Sequence, residues 1–324
     1  MKPVRFPRPL VAGDLVAVVA PSSGVREAMH PRLDLALDRL RGLGLRVREG
    51  RSLRCQVRGA SAGAAERAQE LMEVLLDPEV AAVLPPWGGE RAIELLPLLD
   101  FERLAQAEPK WLSGFSDLST LQLPLLLRSG WASIHGPNLM QLGDPALDAF
   151  SARVFEAWRC GPGAHFSQCS SGVSALRRLD GGVQALQLEG RLLGGCLDSV
   201  SRLSGSSFGA VPDFGAAGDA AGSLLFFENA ELKPFELARA LQGLRLAGWF
   251  EQASGLLLGR NAAADLEADF SSEHALQAAL SGLKCPVLLD LDIGHVGPQW
   301  SLVQGASAKL SWSPAACQMD QWLA

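Results

Sequence analysis

The chain has 324 residues and a mass of 34.4 kDa, enough for two domains that each bury a core. Hydrophobic residues make up 48% and charged residues 20%, an ordinary globular balance, and no segment approaches the length of a membrane span, so no membrane partner is expected. With a formal charge of −6 and no long basic run, the chain is not expected to bind nucleic acid.

The first fourteen residues hold Pro and Arg but no apolar core of signal-peptide length. Six cysteines (Cys55, Cys160, Cys169, Cys196, Cys285, Cys317) lie scattered without a Cys-x-x-Cys pair, which predicts free thiols in a reducing, cytoplasmic setting. Residues 15–20 form a continuous apolar run that stops at Pro21-Ser22-Ser23-Gly24, the pattern of a buried parallel strand. Leu33, Ala36, Leu37 and Leu40 recur at helical spacing, and Gly42 and Gly44 mark the stop. Residues 45–48 alternate like a half-exposed strand, and Ala64, Ala68, Leu71 and Leu75 form a second helical stripe. A strand at 80–84 runs into the loop Pro85-Pro86-Trp87-Gly88-Gly89, and a helix is expected over 90–99. Such alternation argues for an open, mostly parallel sheet covered by helices, with ligands gathered at the carboxyl ends of its strands.

Residues 110–118 (Lys-Trp-Leu-Ser-Gly-Phe-Ser-Asp-Leu) read as a short strand, a Gly-x-Ser turn and a helix start. A serine on such a corner projects its hydroxyl into open space, and the next N–H, at a helix N-terminus, can hold an oxyanion. Pro124 should kink the helix that follows Ser116, but it lies beyond the first turn and spares the corner. The character changes after Asn138, and Gly, Pro and Ser break up the chain that follows. This divides it into a domain at 1–142, a linker region at 143–182 and a second domain at 183–324. In the second domain an apolar strand at 223–227 ends in Glu228-Asn229, and Pro234 opens a helix with Leu237, Leu241 and Leu244 on one face. Strands follow at 254–258 and 286–291, the last leading to Asp292-Ile293-Gly294-His295.

Each of these signals has a structural alternative. Ser116 and Asp117 suit a helix cap, Glu228 could solvate a strand end, and His295 could be an ordinary turn residue. His135, before Gly136-Pro137, reads as a packed loop residue. Taken together, Ser116, His295 and Glu228 supply a nucleophile, a base and an orienting acid, each at a strand's carboxyl end. Two other classes stay open: a metallohydrolase using Asp290, Asp292 and His295, and a non-catalytic binding protein.

The chain resembles the LD-carboxypeptidase family, the serine peptidases that include the microcin C immunity peptidases. The resemblance rests on residues 15–24, Gly114-Phe115-Ser116-Asp117, Phe226-Phe227-Glu228-Asn229 and Ile293-Gly294-His295, and it covers essentially the whole chain. It implies a flavodoxin-like N-terminal domain with a parallel sheet, plus a smaller swivelling β/α C-terminal domain, with the site in the cleft between them. It also implies that Ser116 is the nucleophile, His295 the base and Glu228 its partner, with the N–H groups of Asp117 and Gly89 as the oxyanion hole. Trp87, Gly88 and Cys196 would contact substrate, and no metal or cofactor is implied. Two departures bear on the substrate. Trp87-Gly88-Gly89-Glu90-Arg91 stands where peptidoglycan-recycling members read Arg-Gly-Gly-Tyr-Gly, and Gly194-Gly195-Cys196-Leu197 where many read Gly-Gly-Asn-Leu. The leading expected substrate is murein tetrapeptide, cut to release terminal D-alanine, and the alternative is an aminoacyl- or peptidyl-nucleotide amide. A homodimer is also implied.

Overall fold

The apolar runs of the first half assemble as their patterning requires. In the computed structural model, which describes residues 2–172, 176–217, 222–265 and 269–324, Leu15–Val18 and Val80–Val83 are buried throughout. They lie inside a six-stranded sheet whose order from one edge is Arg46–Glu49, Leu15–Val18, Val80–Val83, Trp111–Gly114, Ser133–His135 and Leu302–Gln304. The first five strands are parallel and the last is antiparallel. Helices His30–Gly42 and Ala64–Leu76 turn their predicted stripes inward, burying Leu33, Ala36, Leu37 and Leu40 on one and Ala68, Leu71 and Leu75 on the other.

Two local departures have a common cause in proline. The segment expected as a helix over 90–99 is a 3-10 helix, Ala92–Leu98, with Pro97 inside it. Proline has no N–H to donate and its ring crowds the preceding turn, so a regular α-helix is disfavoured there. After Ser116, an α-helix spanning Ser119–Pro124 widens at Pro124 into a π-helical turn, Leu125–Ser129. The disturbance falls past the first turn and leaves the Ser116 corner intact.

The second sheet has eight strands, in the order His165–Cys169, Ala316–Trp322, Ser307–Ser313, Leu186–Cys196, Ser223–Glu228, Ala253–Gly259, Val287–Leu291 and Arg177–Arg178. The four strands from Leu186–Cys196 to Val287–Leu291 are mutually parallel, and the strands on either side of them pair antiparallel. The protein is thus a two-domain, mixed α/β structure with two sheets, the first largely parallel. Within 143–182, the strands His165–Cys169 and Arg177–Arg178 form the two outer edges of this second sheet, while residues 173–175 lie outside the described residues.

Two features tie the sheets together. Leu302–Gln304, far along the chain, pairs with Ser133–His135 and closes the edge of the first sheet. The Ser119 hydroxyl, just past the Ser116 corner, accepts the N–H of Cys196 at 3.0 Å, joining the helix start to the end of Leu186–Cys196. Among the described residues no helix is long and apolar enough to cross a membrane.

Candidate active site

The buried strand Trp111–Gly114 delivers Phe115 in extended conformation, and the chain then turns sharply. Ser116 takes φ +66°, a left-handed value that a residue with a β-carbon rarely adopts. The corner is held from beneath. The Asn138 side-chain oxygen accepts the N–H of Phe115 at 3.1 Å, and the Gln122 amide donates to the carbonyls of Gly114 (3.0 Å) and Ile134 (2.8 Å). A strained residue persists only where its surroundings over-determine it, and such strain clusters at functional sites.

The second sheet brings the other two groups. Glu228, the last residue of Ser223–Glu228, is 1% exposed, and its Oε2 accepts a hydrogen bond from His295 Nδ1 at 2.7 Å. That bond places the imidazole proton on Nδ1 and leaves the Nε2 lone pair free. Nε2 lies 3.1 Å from Ser116 Oγ, so the serine hydroxyl donates to it. The chain of contacts from Ser116 to Glu228 joins residues 179 and 67 positions apart in sequence.

Electrostatics follow from burial and neighbours. Burial disfavours a charged His295, but the hydrogen bond and charge of Glu228, with Asp198 and Glu231 beyond it, outweigh that and raise its pKa above the ordinary histidine value. Burial also raises the Cys196 thiol well above its usual range, and the charges of Glu228 and Asp198 push the same way. His135 shows the opposite balance. It is fully buried, neither ring nitrogen has a partner, and the rings of Phe226 and Phe115 stand 5.1 and 5.9 Å away. Burial drives its pKa down to about 4, so it is a neutral packing residue as expected, although it ends the strand Ser133–His135 rather than lying in a loop.

The loop before the 3-10 helix Ala92–Leu98 faces Ser116. A β-carbon on Gly88 would lie 2.8 Å from the Asp117 nitrogen and 3.0 Å from Ser116 Oγ, so only glycine leaves that space open. Asp117 itself is buried. Its carboxylate accepts from the Ser22 hydroxyl (2.5 Å), the Ala92 N–H (2.8 Å) and the Thr120 hydroxyl (3.2 Å), bracing three segments around the corner. Trp87 is part-buried against the core of the first sheet, and its indole N–H is shared between the carbonyls of Ser23 (3.1 Å) and Gly24 (3.2 Å).

Ser116, Gly89 and His295 line two cavities at once. The smaller, about 360 Å³, is walled by Glu90, Asp198, Glu231 and Glu236 with Arg202, and Cys196 also borders it. The larger, about 750 Å³, is bordered by Trp87, Gly88, Met29 and Met140, with Arg26 and Arg32 at its wall. Ser116 therefore sits between an acidic compartment and a more apolar one.

Asp290 and Asp292 are not brought to His295 as a ligand set. Asp290 pairs with Arg177 at 3.0 Å, while Asp292 is fully buried and held by Arg260 (2.6 Å), both hydroxyls of Ser170 and Ser171, and the Ser171 N–H. Both Asp292 oxygens are occupied by donors of this chain, and Asp290 Oδ2 is taken by Arg177. Three positioning groups carried no signal in isolation: Asn138, Gln122 and Asp198. Asp198 accepts the N–H groups of Ala230 and Glu231, both at 3.0 Å, which pins the chain directly after Glu228.

Residues 16–136 match the LD-carboxypeptidase N-terminal domain, and residues 189–310 match the LD-carboxypeptidase C-terminal domain. A Synechocystis protein bearing a carboxypeptidase name is 30% identical, the alignment covering 94% of this chain and 93% of that protein. The murein tetrapeptide carboxypeptidase of Pseudomonas aeruginosa is 28% identical over 91% of this chain and 92% of its own length. The microcin C7 self-immunity protein MccF of Escherichia coli is 23% identical over 94% and 92%. A solved structure of MccF in complex with aspartyl sulfamoyl adenosine superimposes with a TM-score of 0.81 at 21% identity, covering 97% of this chain and 98% of that one.

Proposed function

Given that the chain belongs to the LD-carboxypeptidase family of serine-type peptidases, we propose that it removes terminal D-alanine from murein tetrapeptide through a Ser116–His295–Glu228 triad. The observation that carries this reading is the unbroken hydrogen-bond path from Ser116 Oγ through the His295 ring to Glu228 Oε2.

The chemistry follows from that path. Ser116 Oγ attacks the carbonyl carbon while its proton passes to His295 Nε2. The carbonyl π electrons move onto oxygen, which receives the N–H groups of Asp117 and Gly89. Loss of one such donor typically lowers turnover ~10²–10³-fold. Collapse of the tetrahedral species breaks the C–N bond, and the proton on Nε2 goes to the departing amine. Water then repeats the sequence on the acyl-serine ester, giving its proton to His295 and releasing the shortened peptide as a carboxylic acid. Glu228 holds the Nδ1–H tautomer throughout and stabilises each imidazolium.

The smaller cavity supports a diamino acid beside the scissile bond. Glu90, Glu231 and Glu236 line it, and burial together with Glu231, Asp117 and Asp198 holds the Glu90 carboxyl above the ordinary range. A free ammonium group would relieve that crowding of carboxylates. The larger cavity favours a second reading. Trp87 and two methionines border a volume suited to a base or sugar, so an aminoacyl- or peptidyl-nucleotide amide is the alternative substrate.

Mass spectrometry of the purified protein with murein tetrapeptide, alongside Ser116→Ala, separates these. Loss of alanine with wild type alone is the expected result. Loss with both proteins removes Ser116 from its role. An intact tetrapeptide with folded wild type transfers the reading to nucleotide amides.

A further inference from the structure

The side of Glu228 that faces away from His295 is chemically unfinished. Glu228 is 1% exposed, yet its Oε1 has no hydrogen-bond partner, and among the described residues no lysine or arginine pairs with it. A buried carboxylate oxygen in that state calls for a donor or a cation. Cys196, itself 1% exposed at the end of Leu186–Cys196, stands beside it. The Cys196 sulfur, a Glu228 carboxylate oxygen and a His295 ring nitrogen all lie within 4.8 Å of one another.

We propose that Cys196, Glu228 and His295 form a zinc-binding site whose occupation shuts the enzyme off. Thiolate, imidazole and carboxylate are the three ligand types zinc takes, and tetrahedral coordination sets ligand atoms roughly 3.5 Å apart, within the 4.8 Å span that already holds all three. The ion has a route in, because Cys196 and His295 border the smaller cavity, where Glu90, Asp198, Glu231 and Glu236 concentrate negative charge. Asp198 Oδ2 lies 3.3 Å from Cys196 Sγ and takes the thiol hydrogen now; with zinc bound, it is the neighbouring carboxylate that orients the site.

The proton balance explains the inhibition. Zinc displaces the thiol proton to solvent, since a coordinating thiol is deprotonated outright. At His295 it takes Nδ1, the nitrogen now 2.7 Å from Glu228, so the ring proton moves to Nε2. An Nε2–H donates to Ser116 Oγ and has no lone pair left to accept the serine proton. The inhibition therefore rests on the triad reading, while the site does not.

The test uses the full chain, freed of metal with a chelator and titrated with Co²⁺. Wild type and Ser116→Ala are expected to show a near-ultraviolet thiolate-to-cobalt band that zinc erases, and Cys196→Ser to lack it. Hydrolysis by wild type should fall at least ~10-fold with zinc and return with chelator. Cys196→Ser, compared with its own zinc-free rate, should need at least ~10-fold more zinc for the same loss. Absence of the band in wild type, or an equal band in Cys196→Ser, overturns the site. A normal band with undiminished hydrolysis overturns the triad reading and the inhibition with it, and leaves the site standing.

Discussion

Gly294 lies directly against the side chain of Glu228. A β-carbon on Gly294 would come within 2.3 Å of Glu228 Cγ, and its φ of +90° is one that side chains rarely adopt. The turn that presents His295 and the carboxylate that orients it are therefore fitted to each other through a missing side chain.

Gly294→Ala should consequently lower kcat/KM by about 10²-fold, the typical effect of displacing a catalytic group by roughly 1 Å. The left-handed backbone adds ~1–3 kcal/mol of destabilisation. Steady-state kinetics and urea unfolding on the same preparation check both. Wild-type kinetics in the variant would show that the turn can shift without moving His295.

Ser116, the proposed nucleophile, also holds a left-handed backbone. Ser116→Gly should abolish turnover while raising stability by about 1 kcal/mol, because the left-handed conformation is unfavourable by roughly that much for a residue with a β-carbon. Ser116→Ala should abolish turnover without that gain. Equal unfolding midpoints for the two variants would mean that the φ of +66° is not strained in this setting.

Glu228→Gln keeps the size of the side chain and removes its charge. An amide in that place can present an N–H to Nδ1 and favour the opposite imidazole tautomer, so kcat should fall on the order of 10⁴-fold. A loss below ~10-fold would mean that the imidazole is oriented by other contacts, such as the Phe115 ring 4.6 Å away.

His135 makes stability depend on pH. Its folded pKa, about 4, lies below the unfolded value of about 6.5, so the unfolded chain takes up the proton first. This contribution is complete above about pH 6.5 and drains away as the pH falls toward the folded value. It amounts to about 2 kcal/mol between ~pH 7 and ~pH 5. His135→Leu should flatten that slope in urea titrations at the two pH values, and an unchanged slope would assign it to other groups.

Much of this is legible in the sequence. The unbroken apolar run at 15–20 and the stripes Leu33-Ala36-Leu37-Leu40 and Ala68-Leu71-Leu75 are local periodicities, and burial follows from them because one face or both must leave water. The corner at Ser116 was legible for the same reason: a strand, a Gly-x-Ser turn and a helix start are all set by neighbours in the chain. Proline effects were only half legible. Pro124 announced a break, yet widening into a π-turn rather than a kink depends on how the following residues pack.

What the sequence by itself determined is which groups stand at strand ends: Ser116, Glu228 and His295 are placed there by patterns spanning a few residues each. Their meeting was decided only by tertiary structure. No local rule links Ser116 to His295 across 179 positions, or pairs Leu302–Gln304 with Ser133–His135 to close the first sheet. Nor could residue spacing reveal that Asp290 and Asp292 are taken up by Arg177, Arg260 and two serines while Cys196 is left beside an unpaired Glu228 oxygen. Periodicity is a property of adjacent residues, whereas a carboxylate's chemistry depends on which donors the rest of the fold brings within about 3 Å of it.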